Sequence, residues 1–358
     1  MGSKIAEDPR IDPRLKALFP GPDQPPQGDV ADRETQLAQA NTPQALAAAG
    51  AMNALFDACA SEANAPSTGL VTSTRTFVSQ PDGNEIKVQF IRPDTAEILP
   101  CVYYIHGGGM MSMSAFNGLY TGWGRIIAAN GVAVAMVDFR NCLSPSSSPE
   151  VKPFPAGLND CVSGVKWLAA NAAALNIDPA RIVVAGESGG GNLSLATTLK
   201  LLKDGDIGLI QGVWALCPYI AGQWPLPQNP SSTENNGILL ELHNNRGRMA
   251  YGIEAFDARN PLAWPGFATE ADVKGFPPTV ISVNECDPLR DEGVAFYRLL
   301  LKAGVPARCR QMMGTIHGTE VFSIACPDVS RDTAAELARF AKGPLPKAAA
   351  APVAQAAE

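Results

Sequence analysis

The feature that most constrains the fold is a regular alternation of short apolar stretches with helical stretches. Runs of apolar or β-branched residues occur at 101–105, 132–137, 181–185, 209–216, 279–283 and 307–312. Stretches with helical periodicity separate most of them, at 119–129, 157–173, 191–203, 291–302 and 331–341. Apolar strands that alternate with helices are typical of a mainly parallel sheet with helices on both faces. We therefore expect an α/β fold.

Two β-forming stretches, 71–79 and 85–91, come before this alternation and are separated by the turn sequence PDGN at 81–84. These turn residues favour a reversal of the chain, so the pair predicts a hairpin that adds an antiparallel edge to the sheet. Residues 1 to about 30 are rich in proline and predict irregular structure. The Ala- and Leu-rich stretch 34–62 predicts one or two helices.

The alternation is interrupted at residues 220–275, which show turns at 223–232 and a polar amphipathic stretch at 238–255 but no clear strand. An interval of about 55 residues is too long for a simple loop, so it predicts an inserted subdomain that forms part of a cap. The tail from Gly343 is low in complexity and rich in Ala and Pro, which predicts disorder.

The composition narrows the class of protein and its partners. With 358 residues, of which 46% are hydrophobic and 18% are charged, the chain can bury a large core, and wholesale disorder is excluded. A formal net charge of −7 without a basic stripe argues against nucleic acid and anionic membrane surfaces as partners. Small, neutral or weakly polar molecules remain as ligands. A homodimer is left open, since an edge strand or a cap face could join two subunits.

The cysteines and the apolar stretches predict the compartment. The eight cysteines form no CxxC pair and lie in a chain too long to need disulfide stapling, so we expect reduced, mostly buried thiols. The first 30 residues lack the apolar core of a secretory signal, and no run of about 18 apolar residues occurs elsewhere. We therefore expect a soluble, cytoplasmic protein.

The strongest local signal is the pentapeptide GESGG at 186–190, centred on Ser188, between the strand at 181–185 and the helix at 191–203. It matches the G-x-S-x-G pattern, in which a nucleophilic serine stands on a sharp strand-to-helix turn. Its outer glycines are needed because side chains there would collide with neighbouring backbone. The alternative is a glycine-rich turn that binds phosphate at a helix N-terminus, but the G-x-G-x-x-G and GK[ST] patterns are missing.

A second glycine-rich segment, HGGG at 106–109, directly follows the strand at 101–105. Alone it could be a flexible turn; together with GESGG it indicates an oxyanion hole, in which backbone N–H groups bind the oxygen that becomes negative during acyl transfer. The predicted donors are the N–H groups of Gly107, Gly108, Gly109 and Gly189, and the sequence leaves open which of residues 107–109 contribute. His106 is predicted to hold the loop, because a base ahead of the nucleophile has the wrong chain order.

Among the three histidines, His317 is the predicted general base, since it follows the late strand at 307–312 in the turn-rich stretch 314–318. His243 lies among Asn and Arg residues of the inserted interval and is predicted to be a solvated surface residue. The chain has no HExxH motif and no His/Cys cluster. We therefore predict neither a metal nor a dissociable cofactor.

We expect the acid that orients the base to follow the strand at 279–283. The four candidates are Glu285, Asp287, Asp291 and Glu292. Asp287 is preferred because it lies between the strand and Pro288, at the carboxyl edge of the sheet. Asp291 and Glu292 begin a helix, where acidic residues favour the helix dipole without further function. Glu285 is the alternative. The order Ser188, Asp287, His317 is the order found in α/β-hydrolases.

Taken together, the motifs resemble those of the bacterial hormone-sensitive-lipase-like esterases, a branch of the α/β-hydrolases. They are HGGG at 106–109, DFR at 138–140, PFPAGLNDC at 153–161, GESGGGNL at 186–193, DPLRDEG at 287–293 and HG at 317–318. The resemblance covers about residues 70–342. It implies an α/β-hydrolase fold with about eight strands and a carboxylesterase for short acyl chains. The chain departs from the usual GDSAG motif in having Glu187 and Gly189 in place of Asp and Ala.

The resemblance and the element pattern predict a division of the chain. The parts are cap helices at 1–65, a first core part at 66–219, a cap insertion at 220–275, a second core part at 276–342 and a disordered tail at 343–358. Certain apolar and aromatic residues of the insertion either line the acyl pocket or pack the cap on the core. They are Trp224, Leu240, Met249 and Tyr251.

The predicted reaction is hydrolysis of small carboxylic esters through an acyl-enzyme on Ser188, with His317 as base and Asp287 fixing its imidazole. Two alternatives stay open. The same residues could serve an amidase, lactonase or peptidase, and a small-molecule receptor could keep the fold without turnover. A lipid-surface lipase is disfavoured because the cap stretch 238–255 is too polar.

Overall fold

The computed structural model describes residues 3–21 and 26–343, and its centre is one sheet of eight strands. The strands are β1 (Leu70–Val78), β2 (Glu85–Pro93), β3 (Leu99–Ile105), β4 (Ala133–Val137), β5 (Ile177–Glu187), β6 (Gly212–Leu216), β7 (Thr279–Asn284) and β8 (Ala307–Met312). Their order is β1-β2-β4-β3-β5-β6-β7-β8. β2 pairs antiparallel with β1 and with β4, and all other neighbours are parallel. The α/β class and the antiparallel hairpin at the edge are thereby confirmed.

Helices connect the strands, and further helices lie before β1, between β6 and β7, and after β8. The α-helices are α1 (Lys4–Glu7), α2 (Pro13–Leu18), α3 (Arg33–Ala40), α4 (Pro43–Asp57), α5 (Gly118–Ala128), α6 (Ala156–Ala170), α7 (Gly189–Asp204), α8 (Ser231–Glu234), α9 (Arg246–Tyr251), α10 (Ile253–Asp257), α11 (Glu270–Val273), α12 (Arg290–Lys302) and α13 (Pro327–Lys342). Short 3-10 helices lie at Ala58–Ala60, Ile207–Leu209, Pro265–Phe267 and Thr319–Val321. None of the described helices has the length and apolarity needed to cross a bilayer.

The central strands are apolar throughout because helices cover both faces of the sheet. Every residue of β3, β4, β6 and β7 is buried. Helices α6, α7 and α12 pack on one face, and α5 and α13 pack on the other. Successive side chains of a strand point to opposite faces, so Tyr103 packs with the first set of helices and Tyr104 with the second.

The first residues of the chain form short helices where the sequence predicts irregular structure. Ser3 and Asp12 are the N-caps of α1 and α2, and each side chain accepts a hydrogen bond from a backbone N–H of its helix. Pro13 stands at the start of α2, where its missing N–H costs nothing. Leu15 is fully buried in a small cluster that includes Ile316. The prediction was wrong here because proline begins a helix rather than interrupting the chain.

Other predicted boundaries are refined by the structure. The stretch predicted as one or two helices forms two, α3 and α4, and Thr42 is the N-cap of the second. The strand predicted at 209–216 begins at Gly212, because Ile207–Leu209 form a 3-10 helix. The tail predicted to be disordered lies, beyond Gly343, outside the described residues.

Residues 220–275 contain helices α8 to α11 and contribute no strand to the sheet. Two carboxylates of α12 attach this segment to the core. Glu292 accepts hydrogen bonds from the backbone N–H of Ile220 at 2.7 Å and from Trp224 Nε1 at 2.6 Å. Asp291 accepts one from the N–H of Ser231 at 2.7 Å. The expectation that both residues only favour the helix dipole was therefore wrong.

Candidate active site

Ser188 occupies a sharp turn between the end of β5 and the start of α7. Its backbone has φ 58° and ψ −119°, a conformation that costs a residue with a side chain about 1–3 kcal/mol and must be held by its surroundings. The N–H of Ser188 donates to the carbonyl of Leu216 at 2.9 Å, which fixes the turn against β6. A Cβ at Gly186 or at Gly190 would overlap the carbonyl oxygen of Ile105. The glycines on both sides therefore let the turn pack directly against β3.

The structure brings the side chains of Ser188, His317 and Asp287 into one hydrogen-bonded row. Ser188 Oγ lies 2.8 Å from His317 Nε2, and His317 Nδ1 lies 2.8 Å from Asp287 Oδ2. A carboxylate only accepts hydrogen bonds, so Nδ1 carries the proton and Nε2 is left to accept from the serine. Glu285, the alternative acid, instead accepts the N–H of Gly314 at 2.7 Å and braces the loop that leads to the histidine.

The surroundings of His317 favour a basic imidazole. Burial by itself lowers the pKa of His317, but the negative charge of Asp287, followed by the interaction with Cys217 and a hydrogen bond to each, outweighs it and raises this pKa well above the ordinary value. The Cys217 thiol lies beside the same ring, and burial raises its pKa to about 11. The thiol is therefore protonated at neutral pH, and Asp287 is the anion that acts on the imidazole.

Among the described residues, the ligand atoms of Cys217, Asp287 and His317 lie within 4.8 Å of one another, a spacing that could hold a metal ion. A cysteine ligand must be a thiolate, and the raised pKa of Cys217 opposes that form. Asp287 and His317 are also already bonded to each other. The arrangement fits a proton-transfer pair with a buried thiol beside it better than a metal site.

The glycine loop after β3 lies directly against the serine turn. Gly108 and Gly109 have φ angles of 88° and 66°, which only glycine adopts without strain. A Cβ at Gly189 would come within 2.7 Å of Gly109 N, so the loop and the start of α7 are in contact. The N–H of Gly107 donates to Glu187 Oε1 at 2.8 Å and to Tyr120 Oη at 2.9 Å. Among the described residues, no acceptor is found for the N–H groups of Gly108, Gly109 and Gly189.

Glu187, directly before the serine, is a buried carboxylate with several donors. Tyr104 Oη and Tyr120 Oη each donate to it at 2.6 Å, in addition to the N–H of Gly107. Burial, partly opposed by these hydrogen bonds, raises the pKa of Glu187 to about 7. The sequence marks this position only by the departure from the usual GDSAG motif, and it does not identify the two tyrosines.

The other two histidines lie apart from the row. His106 is fully buried and stacks on Phe139, with ring centroids 4.2 Å apart. Its Nδ1 lies 3.0 Å from the carbonyl oxygen of Gly107, which ties the ring to the glycine loop. Burial lowers the pKa of His106, so the ring is neutral. His243 is exposed, and its Nε2 lies 2.8 Å from the carbonyl oxygen of Ser232.

A cavity of about 1140 Å³ opens at Ser188 and His317. Its apolar wall includes Leu46, Met52, Phe56, Met111, Met113, Leu240, Val321 and Phe322. Its polar wall includes Ser112, Ser114, Asn117, Ser144, Ser146 and Ser147. The N-terminal helix α4 thus supplies part of the apolar wall, a contribution that the sequence does not locate.

The sequence leaves open whether four residues of the inserted segment line the acyl pocket or pack the cap on the core. The structure gives these residues different roles. Leu240 lines the cavity. Trp224 and Tyr251 are buried in the main core cluster, where both pack near Trp264 with ring centroids 6.5 and 5.7 Å away. Met249 is half-buried and is not among the residues that line the cavity.

This chain is similar to a known protein family, to a curated relative and to solved structures. Residues 102–321 match a family described as the alpha/beta hydrolase fold. Carboxylesterase NlhH of Mycobacterium tuberculosis is 33% identical over 253 residues, which are 69% of this chain and 74% of that protein. The structure of esterase Est22 with p-nitrophenol is 65% identical with a TM-score of 0.93, over 95% of this chain and 100% of that chain. Brefeldin A esterase, a bacterial homologue of human hormone-sensitive lipase, is 37% identical with a TM-score of 0.80, over 94% of both chains.

Proposed function

Since the chain belongs to the α/β-hydrolase family, in its hormone-sensitive-lipase-like branch of bacterial esterases, we propose that it is a serine carboxylesterase for short-chain esters. The observation that carries the proposal is the hydrogen-bonded row from Asp287 through His317 to Ser188, which ends at a cavity of about 1140 Å³. The row provides a nucleophile, a base and a buried negative charge, which are the groups that acyl transfer to a serine requires.

In the first half of the reaction, Ser188 Oγ attacks the ester carbonyl carbon while His317 Nε2 takes the hydroxyl proton. Asp287 holds the imidazole in the correct tautomer and stabilises its positive charge. The carbonyl oxygen becomes negative and receives hydrogen bonds from the N–H groups of Gly108, Gly109 and Gly189. The imidazolium then returns the proton to the departing alkoxide, and the alcohol leaves an acyl group on the serine.

In the second half, a water molecule repeats the same sequence. His317 takes a proton from water as its oxygen attacks the acyl carbon, the same N–H groups bind the oxyanion, and the proton passes to Ser188 as the acid departs. Gly107 is omitted from this set because its N–H is bonded to Glu187.

The two walls of the cavity support a small ester with an apolar and a polar part. We assign residues 1–65 and 220–275 to a cap, because α4 and the segment around Leu240 both contribute to the wall above Ser188. Aryl esters are suitable probes, since the similar esterase Est22 has been solved with p-nitrophenol, the alcohol that p-nitrophenyl esters release.

We also propose a compartment for the protein and a class of partner. All eight cysteines are free, and seven of them are buried, which suits a reducing compartment and supports a cytoplasmic location. The acidic net charge of −7 supports a small-molecule substrate rather than nucleic acid or an anionic membrane surface. Homodimerisation stays a prediction.

Hydrolysis of p-nitrophenyl esters from acetate to palmitate tests the proposal. We expect kcat/KM to be highest for short acyl chains and to fall about 10⁵- to 10⁶-fold in Ser188→Ala, which removes the nucleophile. Matched anilides measure amidase activity, and we expect them to react far more slowly. A folded wild-type protein that turns over neither ester nor amide would favour a binding protein instead.

A further inference from the structure

We infer that Glu187 is a positioning residue, which holds the glycine loop 107–109 in the place where it can bind the oxyanion formed on Ser188. The inference rests on the proposed esterase function. It adds to the catalytic residues a carboxylate that does not itself touch the substrate's reacting atoms.

The register of the sheet puts Glu187 next to the loop. β3 and β5 are parallel neighbours, and Ile105 at the end of β3 pairs with Gly186. One residue further on, β3 has passed into the loop while β5 has reached Glu187. The carboxylate therefore bridges the two chain segments that must cooperate, one with the nucleophile and one with the oxyanion donors.

The contacts of the carboxylate are divided between its two oxygens. Oε1 accepts from the N–H of Gly107 at 2.8 Å and from Tyr120 Oη at 2.6 Å. Oε2 accepts from Tyr104 Oη at 2.6 Å. Tyr104 belongs to β3 and Tyr120 to α5, so one side chain ties the loop to two rigid elements.

Gly107 and Glu187 fit each other closely. A Cβ at residue 107 would overlap Oε1 of Glu187, so the close approach of backbone to carboxylate needs a glycine at that position. The N–H of Gly107 donates to Glu187 Oε1 and also to Tyr120 Oη at 2.9 Å, and that hydroxyl is itself held by its hydrogen bond to Oε1, so the carboxylate fixes the first peptide of the loop directly and through the tyrosine. The orientation of the next peptides, whose N–H groups belong to Gly108 and Gly109, follows from it.

The tyrosine, cysteine and histidine side chains around Glu187 each stay in one protonation state at neutral pH. Burial and the nearby carboxylate raise the pKa values of Tyr104 and Tyr120 well above their ordinary values, so both stay donors. Burial raises the pKa of Cys217 to about 11, and burial lowers that of His106, whose ring lies 5.5 Å from the ring of Tyr120. These neighbours are thus uncharged at neutral pH. Glu187 is 4% exposed although it lines the cavity beside Ser188.

Three substitutions at Glu187 separate the acceptor role from volume and charge. Glu187→Met keeps the length of the side chain and removes both acceptors. Glu187→Gln keeps one carbonyl oxygen at the position of Oε1 and removes the charge. Glu187→Asp keeps the charge but is too short to reach Gly107 from the same backbone. The matched control is Tyr103→Phe, which removes a buried hydroxyl that donates to the carbonyl of Cys161 at 3.0 Å on the opposite face of β3.

The probe is a short-chain alkyl trifluoromethyl ketone. Ser188 Oγ adds to its carbonyl carbon, the serine proton passes to His317, and the carbonyl oxygen becomes an oxyanion that remains bound. Loss of one oxyanion donor costs about 10²- to 10³-fold in kcat, and misplacement by about 1 Å can cost 10²-fold. We therefore expect Glu187→Met to lower kcat/KM for p-nitrophenyl butyrate about 100-fold through kcat, with KM changed less than threefold. The affinity for the trifluoromethyl ketone should fall by the same factor.

Glu187→Gln should lie within about tenfold of the wild type, and Glu187→Asp should be weaker than Glu187→Gln, because reach to Gly107 matters more than charge. Tyr103→Phe should lower the thermal midpoint without changing kcat/KM or ketone affinity. Wild-type kcat and ketone affinity in Glu187→Met, or Glu187→Asp exceeding Glu187→Gln, would overturn the inference. If Glu187→Met does not fold, the order of the other two variants decides the question. An inactive wild-type protein would instead refute the proposed function.

Discussion

The carboxylate of Asp287 lies 2.8 Å from Nδ1 of His317, on the side of the ring opposite to the nitrogen that faces Ser188. Asp287 is fully buried, so its charge acts on the imidazole without screening by water. This relationship sets both the direction of proton transfer and the pH range in which the proposed enzyme works.

Asp287→Asn is expected to lower kcat by roughly 10⁴-fold, because the amide favours the wrong imidazole tautomer. The neutral imidazole is the base, and Asp287 raises the pKa of His317 well above its ordinary value. Activity in the wild type should therefore fall as the pH decreases through this raised pKa. In Asp287→Asn the residual activity should persist to lower pH. A pH profile of kcat/KM measures both, and an unchanged acid limb would contradict the assignment of Asp287.

Glu292 is expected to make the protein less stable as the pH rises. Burial raises the pKa of Glu292 to about 8, whereas an unfolded glutamate has a pKa of about 4.3. Between these values the folded state binds more protons than the unfolded state, so the free energy of unfolding decreases with increasing pH. Glu292→Gln cannot titrate, and its unfolding free energy in urea should depend less on pH between about 4.5 and 8.

The matched control for Glu292 is Asp291→Asn, on the same helix. The pKa of Asp291 is lowered by Arg290 and by the N–H of Ser231 in spite of partial burial. Its contribution to stability is therefore lost only in acid, as the pH falls through a value below the ordinary one. Identical pH slopes for Glu292→Gln and the wild type between pH 5 and pH 8 would contradict the account of Glu292.

Gly189→Ala is expected to lower kcat/KM although alanine is the usual residue at this position of the motif. The new Cβ would lie 2.7 Å from Gly109 N, which is closer than such contacts allow, so the glycine loop must move. A shift of the oxyanion donors by about 1 Å can cost about 10²-fold in kcat. Gly208→Ala is the control, since a Cβ there meets nothing within 4 Å. Unchanged kinetics in Gly189→Ala would show that the loop relaxes without loss of function.

Leu240 and Trp224 are expected to respond differently to substitution. Leu240→Ala enlarges the cavity and should shift the preferred ester toward longer acyl chains with little change in thermal stability. Trp224→Phe removes the donor to buried Glu292 Oε2 and should cost about 1–3 kcal/mol of stability with the chain-length preference unchanged. A chain-length series and a thermal melt on each variant distinguish these outcomes. A shift in chain-length preference in Trp224→Phe alone would reverse the assignment.

Much of the fold could be predicted because its signals are local. The central strands are short apolar runs since both faces are covered, and the turn at 81–84 contains both proline and glycine. The short helices α1 and α2 could not be predicted in the same way. Their existence depends on Leu15 finding a buried place beside Ile316, a contact between distant parts of the chain.

The candidate site shows the same division. Ser188 and the glycine loop could be predicted because each motif contains the glycines that its own backbone conformation requires. The surroundings of Glu187 could not, because Tyr104 and Tyr120 lie 83 and 67 positions away from it along the chain. The anchoring roles of Asp291 and Glu292 were missed for a related reason, since their partners belong to a segment without regular periodicity.

The central claim is that Ser188 is the nucleophile, and covalent trapping tests it most directly. The protein is treated with diethyl p-nitrophenyl phosphate, which phosphorylates an activated serine and releases p-nitrophenol, and the labelled peptide is identified by mass spectrometry. We expect one diethylphosphoryl group per chain on Ser188, loss of esterase activity in proportion to labelling, and no labelling of Ser188→Ala or of His317→Ala. Labelling at another residue, or full activity in a protein whose Ser188 is completely labelled, would contradict the account.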